Sequence, residues 1–356
     1  MAQPASTNDI LASNTVRPTG TLVKRAEVLR LSVVRVMTWN LWWRFGPWEE
    51  RLAAIVATIA EQDPDVVCLQ ELWASDGSVS PVEDQAQLLA EALGMYWART
   101  ESPFWNGYCF ANAVLSRWPI TDPITLVLPD HEGKPSHRRA LLCTVTPPSA
   151  TPPTPTLPTV PIAATVPTVP TVGISPDSTV RPGAVGSTAG PSGPSGESEP
   201  IGPFKVVSTH FEFRFDRSVT RQAQARSLAE LVVQHQLDPA ASFPVIVGAD
   251  TNAQPNSDEM RSLLGLAEPF VRGHIFHDCW ALAGDDTPGY TWSDRNPYLA
   301  NASWPRRRID YLLVSWPRPK GIGTPTNCWL AGTSPVNGIM PSDHFAVVTD
   351  LRCAAS

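Results

Sequence analysis

Acidic, amide and imidazole side chains recur at the ends of strand-like segments in this 356-residue chain. The clearest case is Asp343-His344, which stands directly before an apolar segment with the pattern of a strand. A carboxylate beside an imidazole can orient the ring and keep its pKa near neutral pH, which is the condition for general acid–base chemistry. The dipeptide alone carries little weight, because Asp-His pairs are common.

Comparable side chains stand at the ends of other predicted strands. Each of these side chains taken alone has an ordinary explanation. Glu71 could cap a helix, and Asp250 with Asn252 could form an Asx-turn. Asp310 is harder to explain in this way, because an unpaired carboxylate inside an apolar strand is costly to bury. Their joint occurrence favours one shared site. The candidate residues are Asn40, Glu71, His210, Asp250, Asn252, Asp310, Asp343 and His344.

Phosphoryl transfer to water is the chemistry that suits this set. A hard divalent cation takes carboxylate and amide oxygens as ligands, here those of Glu71 and Asn40. An in-line attack needs an activated water and a stabilised oxyanion, which are roles for Asp250, Asn252 and His344. No serine or cysteine nucleophile motif competes with this interpretation.

The segments that carry these residues show strand and helix patterns. Alternating or continuous apolar residues predict strands, and apolar residues three and four apart predict helices. The predicted strands are 33–39, 64–69, 113–116, 140–145, 204–209, 244–248, 308–314 and 345–351. The predicted helices are 48–61, 81–93, 218–236 and 258–264. Many strands with helices in both halves of the chain favour two packed sheets flanked by helices.

One segment differs in composition from the rest. Residues 147–203 consist largely of Pro, Thr, Val, Ser and Gly, with no aromatic residue and almost no charge. Such a segment cannot bury enough surface to offset the entropy of ordering, which predicts a disordered insertion. We also expect 1–30 to be a disordered leader and 31–353 to be one domain with the insertion inside it. If Arg139 and His210 both lie at the site, the strand before the insertion leaves the site and the strand after it returns. The insertion is then predicted to project from the opposite end and to be dispensable for catalysis.

Composition sets limits on partners and location. The net charge of −7 argues against a strong global attraction to nucleic acid. The six cysteines lack CxxC spacing, which argues against a zinc site or a disulfide framework. Neither a secretory signal nor a run of eighteen apolar residues occurs, so we expect a cytoplasmic protein without membrane insertion. We also expect a monomer.

In order and local sequence, these segments resemble the endonuclease/exonuclease/phosphatase superfamily. The resemblance extends from residue 33 to 352 and omits only the insertion. The matching pieces are Thr38-Trp-Asn40-Leu, Asp65-Val-Val-Cys-Leu-Gln-Glu71, Asn112-Ala-Val-Leu-Ser-Arg117, Ser208-Thr-His210, Gly248-Ala-Asp-Thr-Asn252, Arg308-Ile-Asp310-Tyr and Ser342-Asp-His344. The resemblance implies an α/β fold, a four-layer sandwich of two mostly antiparallel sheets flanked by helices, with the site at one end of the sheets.

The same resemblance implies roles for individual residues. It implies Asn40 and Glu71 as ligands of Mg²⁺ or Mn²⁺, and Asp250, with Asn252 beside it, as the residue that aligns or activates water. Repair endonucleases of the superfamily tend to carry an acidic residue two positions after Asn40, where this chain has Trp42. This Trp is interpreted either as packing between helix and sheet or as an apolar wall at the mouth of the site.

The phosphate-contacting residues follow from the resemblance as well. It implies that His210 and His344 contact the scissile phosphate and that Asp310 and Asp343 support them, with Asp343 holding the ring of His344. Two further candidates for phosphate contact are Asn112 and Arg139.

The predicted function is metal-dependent hydrolysis of a phosphodiester or phosphomonoester. The substrate stays open between nucleic acid, a lipid headgroup and a small molecule, because a Trp-rich entry is compatible with each. The alternative is a non-catalytic member of the superfamily that serves as a binding or scaffold module. The complete set of site residues argues against that alternative, since a member without activity would have lost at least one of them.

Overall fold

A computed structural model describes residues 33–130, 134–148, 201–238, 242–300, 305–316 and 321–353. The predicted leader 1–30 and nearly all of the predicted insertion lie outside these residues, so their disorder stays a prediction. The strands are β1 Val33–Asn40, β2 Val66–Leu72, β3 Tyr96–Arg99, β4 Ala111–Ser116, β5 Ile120–Pro129, β6 Pro135–Val145, β7 Phe204–His210, β8 Ile246–Asp250, β9 Ile275–Asp278, β10 Asp310–Trp316, β11 Pro325–Ala331 and β12 Ala346–Arg352. The helices are α1 Trp48–Gln62, α2 Gln85–Leu93, α3 Ser218–His235, α4 Asp258–Leu263 and α5 Cys279–Ala283.

The strands form two six-stranded sheets. Their orders are β11-β12-β1-β2-β4-β3 and β5-β6-β7-β8-β10-β9. Each sheet has one parallel pair at its centre, β1 with β2 and β7 with β8, and the other neighbours are antiparallel. A helix joins the two strands of each parallel pair, as a parallel connection requires. The predicted two mostly antiparallel sheets are therefore confirmed.

Three apolar layers hold four layers of secondary structure together. Between the sheets, the inward side chains of β1 and β2 meet those of β6, β7 and β8, for example Val36 and Phe204. The outer face of the first sheet packs on α1 and α2, and the outer face of the second packs on α3 and α4. On α3 the residues that the 3.6 period predicts to be buried, such as Leu228 and Val232, are buried. This is the predicted αββα sandwich.

A glycine sets the close approach of the two sheets beneath the site. A Cβ atom at Gly248 of β8 would lie 2.3 Å from Cβ of Cys68 and 2.9 Å from Oγ1 of Thr38, both on the facing sheet. No larger side chain fits at such distances without moving one sheet. The glycine therefore allows the ends of the two central strand pairs to lie close together.

The eight predicted strands are the eight inner strands of the sheets, found with small shifts at their ends. The four strands that the sequence pattern misses, β3, β5, β9 and β11, are the four edges. Edge strands are half-exposed and carry little apolar alternation, as in β5, where most residues are exposed or half-buried. The predicted helix 81–93 begins only at Gln85, where the side chain of Asp84 accepts a hydrogen bond from the amide of Ala86 as the N-cap.

The two strands that flank the insertion form an antiparallel pair. Val145 lies opposite Phe204 at one end of this pair, and Ala140 lies opposite Thr209 at the other. The described ends of the insertion therefore lie at the end of the sheet away from His210. None of the described helices is long and apolar enough to cross a membrane.

Candidate active site

The carboxyl ends of the two parallel strand pairs carry four of the predicted site residues. Asn40 and Glu71 end β1 and β2, and His210 and Asp250 end β7 and β8. Strands that run in parallel present their carboxyl ends at the same edge, and Asn40 pairs beside Gln70 while His210 pairs beside Asp250. Topology alone thus brings residues more than 200 positions apart in sequence to one place.

Two antiparallel strands add the remaining residues from their amino ends. Asp310 begins β10 and lies opposite Asp250 in the pairing register. His344 stands just before β12, which runs antiparallel to β1. The indole Nε1 of the buried Trp39 donates to the backbone oxygen of His344 at 2.9 Å and fixes this turn. The predicted residues Asp310, Asp343 and His344 therefore lie at the same end as the four above.

A bulge in β2 turns Glu71 toward the site. The pairing of β2 with β4 shifts register between Leu69 and Leu72, and Glu71 has a left-handed φ of 55°. The preceding Gln70 stays between the sheets, where its Nε2 donates to Oγ of Ser208 at 3.1 Å. Bulges commonly re-aim a side chain next to active sites. Burial raises the pKa of Glu71.

Asp250 is held by two donors. Nδ2 of Asn40 donates to its Oδ2 at 2.8 Å, and the backbone amide of Asn252 donates to its Oδ1 at 3.0 Å. Burial, with the nearby charge of Asp310, raises the pKa of Asp250 to about 6. A fixed carboxylate with such a pKa is suited to accept a proton near neutral pH.

His344 is oriented by Asp310. Its Nδ1 lies 2.9 Å from Oδ2 of Asp310, whereas Asp343 comes no closer than 4.0 Å, to Nε2. The prediction that Asp343 holds this ring is wrong, because neighbours in sequence at a turn point apart and the carboxylate in reach comes from β10. Burial alone would lower the pKa of His344, but Asp310 and Asp343 raise it well above its ordinary value. The surrounding carboxylates therefore favour the protonated form of the ring.

Two carboxylate oxygens of the site are buried without a hydrogen-bond partner. They are Oδ1 of Asp310 and Oδ1 of Asp343. Burial, with the charge of Glu71 among its causes, raises the pKa of Asp343 to about 6. Buried carboxylate oxygens of this kind are paired or coordinate a metal. The donor set therefore fits a hard divalent cation.

One trio of donor atoms is particularly close. Those of Asp250, Asp310 and His344 lie within 4.8 Å of one another. Nδ1 of His344, however, is already engaged with Oδ2 of Asp310, so that ring nitrogen is not free to bind a cation. The three side chains form a charge network, and the predicted binding of a cation by Glu71 and Asn40 stays a prediction. The name acidic centre is used below for Glu71, Asp250, Asp310, Asp343 and His344.

His210 differs from His344 in the direction of its pKa shift. Burial and the positive charge of Arg138 lower its pKa well below the ordinary value. Nη1 of Arg138 lies 2.8 Å from Nδ1 and 3.0 Å from Nε2 of the ring, so the guanidinium stands directly against the imidazole. Side-chain Nδ2 of Asn252 lies 3.0 Å from Nε2. The pKa values of the two site histidines are thus shifted in opposite directions.

Arg138 is the site residue that sequence reasoning missed. The predicted neighbour Arg139 instead donates from Nη1 to the backbone oxygen of His137 at 2.8 Å. Both arginines line a cleft next to His210, but only Arg138 meets that ring. A run of three basic residues at the start of β6 was the available signal, and it does not reveal which of them faces the site.

Asn112 reaches across between the sheets. Its Nδ2 donates to the backbone oxygen of Arg139 at 2.7 Å, which ties β4 to β6. The amide is therefore already engaged with protein, and its predicted contact with phosphate stays a prediction. Its side chain nevertheless lines the same cleft as His210.

The loop after β1 is held by a buried arginine. Trp42 and Trp43 have left-handed φ angles of 57° and 36°, which bulky side chains rarely adopt. The guanidinium of Arg51, 1% exposed, donates to four backbone oxygens of this loop and to that of Pro341. The ring of Trp42 packs on Tyr298, 4.6 Å between centroids. Arg51 thus links this loop to the turn that carries His344, and Trp42 packs between loops.

Comparisons with known proteins agree with this architecture. The model of the endonuclease/exonuclease/phosphatase family matches residues 37–344. A comparison with curated proteins finds no match. Among solved structures, an endonuclease/exonuclease/phosphatase from Beutenbergia cavernae is 22% identical with a TM-score of 0.57, over 91% of this chain and 72% of that one.

Two other solved structures have the same fold. TDP2 of D. rerio, complexed with a single-strand DNA product, is 18% identical with a TM-score of 0.58, over 90% of this chain and 99% of that one. The human Nocturnin catalytic domain with bound sulfate is 17% identical with a TM-score of 0.53, over 90% of this chain and 94% of that one. At these identities the structural likeness establishes the fold, and the family model covers most of the sequence. The chain belongs to the endonuclease/exonuclease/phosphatase family.

Proposed function

We propose that this protein is a metal-dependent hydrolase that cleaves a phosphodiester or phosphomonoester by in-line attack of water. The observation that carries the proposal is the acidic centre itself, where three buried carboxylates and the half-buried Glu71 stand around His344, whose pKa is raised, with His210, whose pKa is lowered, beside them. Such a set has the groups that phosphate hydrolysis needs: cation ligands, a base and a cationic donor. Family membership supports the same reaction class, because endonucleases, exonucleases and phosphatases all hydrolyse phosphate esters.

The cation would be held by Glu71 and Asn40, with Asp343 as a further oxygen donor. The unpartnered Oδ1 of Asp343 and the charge of Glu71 that raises its pKa support this assignment. A bound Mg²⁺ or Mn²⁺ would neutralise charge on the phosphate and lower the pKa of a bound water.

The other residues supply binding and proton transfer. Asp250, fixed by Asn40 and Asn252, is the proposed base that takes a proton from the attacking water. Asp310 engages Nδ1 of His344 and raises the pKa of its ring, so Nε2–H of His344 is the proposed donor to a phosphate oxygen or to the leaving oxygen. His210 and Arg138 would bind the remaining phosphate oxygens.

Metal-supplemented hydrolysis tests the proposal. Protein stripped with EDTA is supplied with Mg²⁺ or Mn²⁺ and given bis-p-nitrophenyl phosphate, p-nitrophenyl phosphate, plasmid DNA, sphingomyelin, phosphoinositides and nucleotides. We expect hydrolysis of at least one substrate that depends on the metal. Folded protein that hydrolyses none of them with either metal would refute the proposal and favour the binding or scaffold alternative.

A further inference from the structure

Large apolar side chains are exposed on four loops around the mouth of the site. Three of these loops, 41–47, 73–84 and 211–217, follow β1, β2 and β7 at the carboxyl ends that carry site residues. The fourth, 100–110, precedes β4, which runs antiparallel to β2 and so begins at the same end. The exposed side chains, together called the apolar rim, are Phe45, Val79, Val82, Phe104, Trp105 and Phe213. Exposed apolar groups that gather in one place, unlike single ones, mark a binding surface.

Trp105 stands at the tip of a tight hairpin. The amide of Trp105 donates to the backbone oxygen of Tyr108 at 2.8 Å, and the amide of Tyr108 donates to the backbone oxygen of Trp105 at 3.1 Å. Between them, Asn106 and Gly107 have φ angles of 49° and 81°, as a two-residue hairpin turn requires. The indole is nevertheless 76% exposed. The turn thus holds a large apolar side chain in water, where it stays unfavourable until another surface covers it.

The apolar rim is continuous from the hairpin to the adjoining loops. A Cβ atom on Gly107 would lie 2.3 Å from Cγ2 of Val79, so the loop after β2 packs on the hairpin tip. Trp43 joins the hairpin to the loop after β1, since its ring centroid lies 6.3 Å from that of Tyr108 and 5.5 Å from that of Phe45. These side chains therefore form one surface.

The same surface borders the entrance to the acidic centre. The guanidinium carbon of Arg138 lies 5.8 Å from the ring centroid of Phe110 and 5.6 Å from that of Phe213. The ring of Phe110 in turn lies 6.0 Å from that of His210 and 6.3 Å from that of Trp43. Aromatic side chains thus stand on both sides of the residues proposed to bind phosphate oxygens. Whatever covers the apolar rim therefore lies against the entrance to the site.

The exposed charges around the apolar rim are mostly negative. Apart from Arg214, the exposed charged side chains of the four loops and of the adjoining start of α1 are acidic. They are Glu49, Glu50, Asp76, Glu83, Glu101 and Asp216. On a chain of net charge −7, such a surface repels nucleic acid and anionic lipid alike. A zwitterionic lipid surface carries no net charge and is not repelled.

A lipid surface also fits the position of the apolar rim better than a protein partner does. A partner seated on the rim would close the entrance, whereas a bilayer would present the phosphates of its headgroups to it. Aromatic side chains, tryptophan above all, favour the boundary between headgroups and acyl chains. Val79 and Val82 add apolar area for that boundary but have no ring on which a nucleobase stacks.

We propose that the apolar rim docks the protein on a zwitterionic lipid surface, so that the phosphodiester of a lipid headgroup reaches the acidic centre. The proposal rests on the proposed hydrolytic function and names its substrate class. Water then attacks the phosphorus and breaks one P–O bond; the leaving oxygen takes a proton, and the phosphate remains as a monoester. Docking needs only the tips of the loops to enter the boundary. Trp105 contributes most, because its side chain is the largest in the rim and is 76% exposed.

Vesicle binding tests the docking surface without turnover. Protein in EDTA is sedimented with vesicles of phosphatidylcholine, with and without phosphatidylglycerol. We expect binding to pure phosphatidylcholine, and binding at least about tenfold weaker in Trp105→Ser. Trp316→Ser is the matched control and should bind as wild type does, because this exposed tryptophan ends β10 at the opposite end of its sheet. Val82→Ser, on a separate loop, should weaken binding about threefold and tests the rim independently of the hairpin.

Several results would overturn the docking surface, with the melting temperature of each variant as the check on its folding. One is folded wild type that does not bind phosphatidylcholine. Another is binding that requires the anionic lipid, and a third is binding that Trp105→Ser and Val82→Ser leave unchanged. Self-association that Trp105→Ser abolishes, without vesicle binding, would overturn it as well and identify a second copy of the chain as the occupant.

A kinetic experiment tests the use of the docking surface in catalysis. Dihexanoylphosphatidylcholine is supplied with Mg²⁺ or Mn²⁺ below and above the concentration at which it forms micelles, and release of phosphocholine or choline is measured. We expect the rate to rise about tenfold above that concentration in wild type and in Trp316→Ser, and much less in Trp105→Ser. An equal rise in Trp105→Ser would contradict the proposed use of the rim.

The outcomes separate the docking surface from the proposed function. Hydrolysis of bis-p-nitrophenyl phosphate without vesicle binding overturns the surface and leaves the function standing. Vesicle binding with hydrolysis of other esters but not of phosphatidylcholine or sphingomyelin overturns the substrate class alone. Vesicle binding without hydrolysis of any substrate overturns the function and leaves the surface standing.

Discussion

The acidic centre and the cleft beside His210 lie side by side but are built differently. The cleft is called the basic cleft below, and its lining residues are Thr100, Phe110, Asn112, His137, Arg138, Arg139 and His210. The acidic centre stands on the ends of the central strands, with Asp250 and Asp310 paired in register and both almost fully buried. The basic cleft stands on β6, one strand from the edge of its sheet, with the side chain of His137 exposed. Groups fixed at the sheet centre suit chemistry, which needs exact placement of donors. Groups near an edge suit substrate selection, which tolerates variation.

The two regions also differ in how their charges are balanced. In the acidic centre like charges are crowded and raise the pKa of Asp250 and of Asp343, so the region is incomplete without a cation. In the basic cleft Arg139 lacks a described carboxylate, so the region is incomplete without an anion. Changes in the acidic centre should therefore affect kcat and metal binding, whereas changes in the basic cleft should affect KM and phosphate binding.

Asp250→Asn should have the largest effect, because it removes the proposed base while keeping the shape of the side chain. We expect kcat for bis-p-nitrophenyl phosphate to fall about 10³-fold, with a small change in KM. Steady-state kinetics with Mg²⁺ measures both. Asp294→Asn is the matched control, since this exposed carboxylate pairs with Arg306 and Ser293 and is not part of the acidic centre. A loss of less than tenfold in Asp250→Asn would argue against its role.

Asp310→Asn should reduce kcat by about 10²-fold and change its pH dependence. Asp310 raises the pKa of His344, so its removal lowers the pH at which the imidazolium loses its proton. The basic limb of the pH–rate profile should therefore move to lower pH. A basic limb that stays in place would show that His344 does not act as a charged donor.

Asp343→Asn should stabilise the metal-free protein. The pKa of Asp343 is about 6, above its ordinary value, so the folded state favours the protonated form. The protonated carboxyl stabilises the folded state below about pH 4, and this stabilisation is lost as pH rises through about 6. The loss lowers the free energy of unfolding by on the order of 3 kcal/mol. We expect a melting temperature several degrees higher than wild type at about pH 8, and no difference at about pH 4.

Added Mg²⁺ should favour wild type over Asp343→Asn, the opposite of the order expected without metal. Added Mg²⁺ should raise the melting temperature of wild type more than that of Asp343→Asn, because the variant lacks one oxygen donor. Asp285→Asn is the control, since this exposed carboxyl bonds to Thr287 and has a lowered pKa. An identical response to Mg²⁺ in wild type and Asp343→Asn would remove Asp343 from the set of metal ligands.

Asn112→Ala should have the smallest effect and should be confined to the basic cleft. It removes one hydrogen bond to the backbone oxygen of Arg139, a loss of about 1 kcal/mol. We expect KM for the hydrolysed phosphate ester to rise less than tenfold, with kcat unchanged within twofold. A large fall in kcat would show that Asn112 acts on the scissile phosphate instead.

The sequence revealed the inner strands and the acidic centre well. Periodicity identifies strands that are buried on both faces, and the motifs at their ends, such as Gly248 to Asn252, lie where parallel strands must converge. It could not reveal the four edge strands, because an edge strand lacks the apolar pattern. The error over Asp343 has a similar origin, since proximity in sequence does not determine which carboxylate reaches Nδ1 of His344.

The basic cleft was less predictable for a physical reason. Arg138 and Arg139 are identical in type and adjacent, and only their contacts, with His210 for one and with a backbone oxygen for the other, separate them. Arg51 was likewise hidden, because a cation in an amphipathic helix usually faces solvent, whereas this one is buried against backbone oxygens.

The proposed metal-dependent active site is tested most directly by single-turnover hydrolysis of bis-p-nitrophenyl phosphate. The rate is measured as a function of Mg²⁺ concentration in wild type and in Glu71→Gln. We predict a saturable dependence in wild type that EDTA abolishes, and a half-saturating Mg²⁺ concentration at least about tenfold higher in Glu71→Gln. A rate that is independent of Mg²⁺ and unaffected by EDTA would contradict the proposal that the acidic centre is a metal-dependent active site.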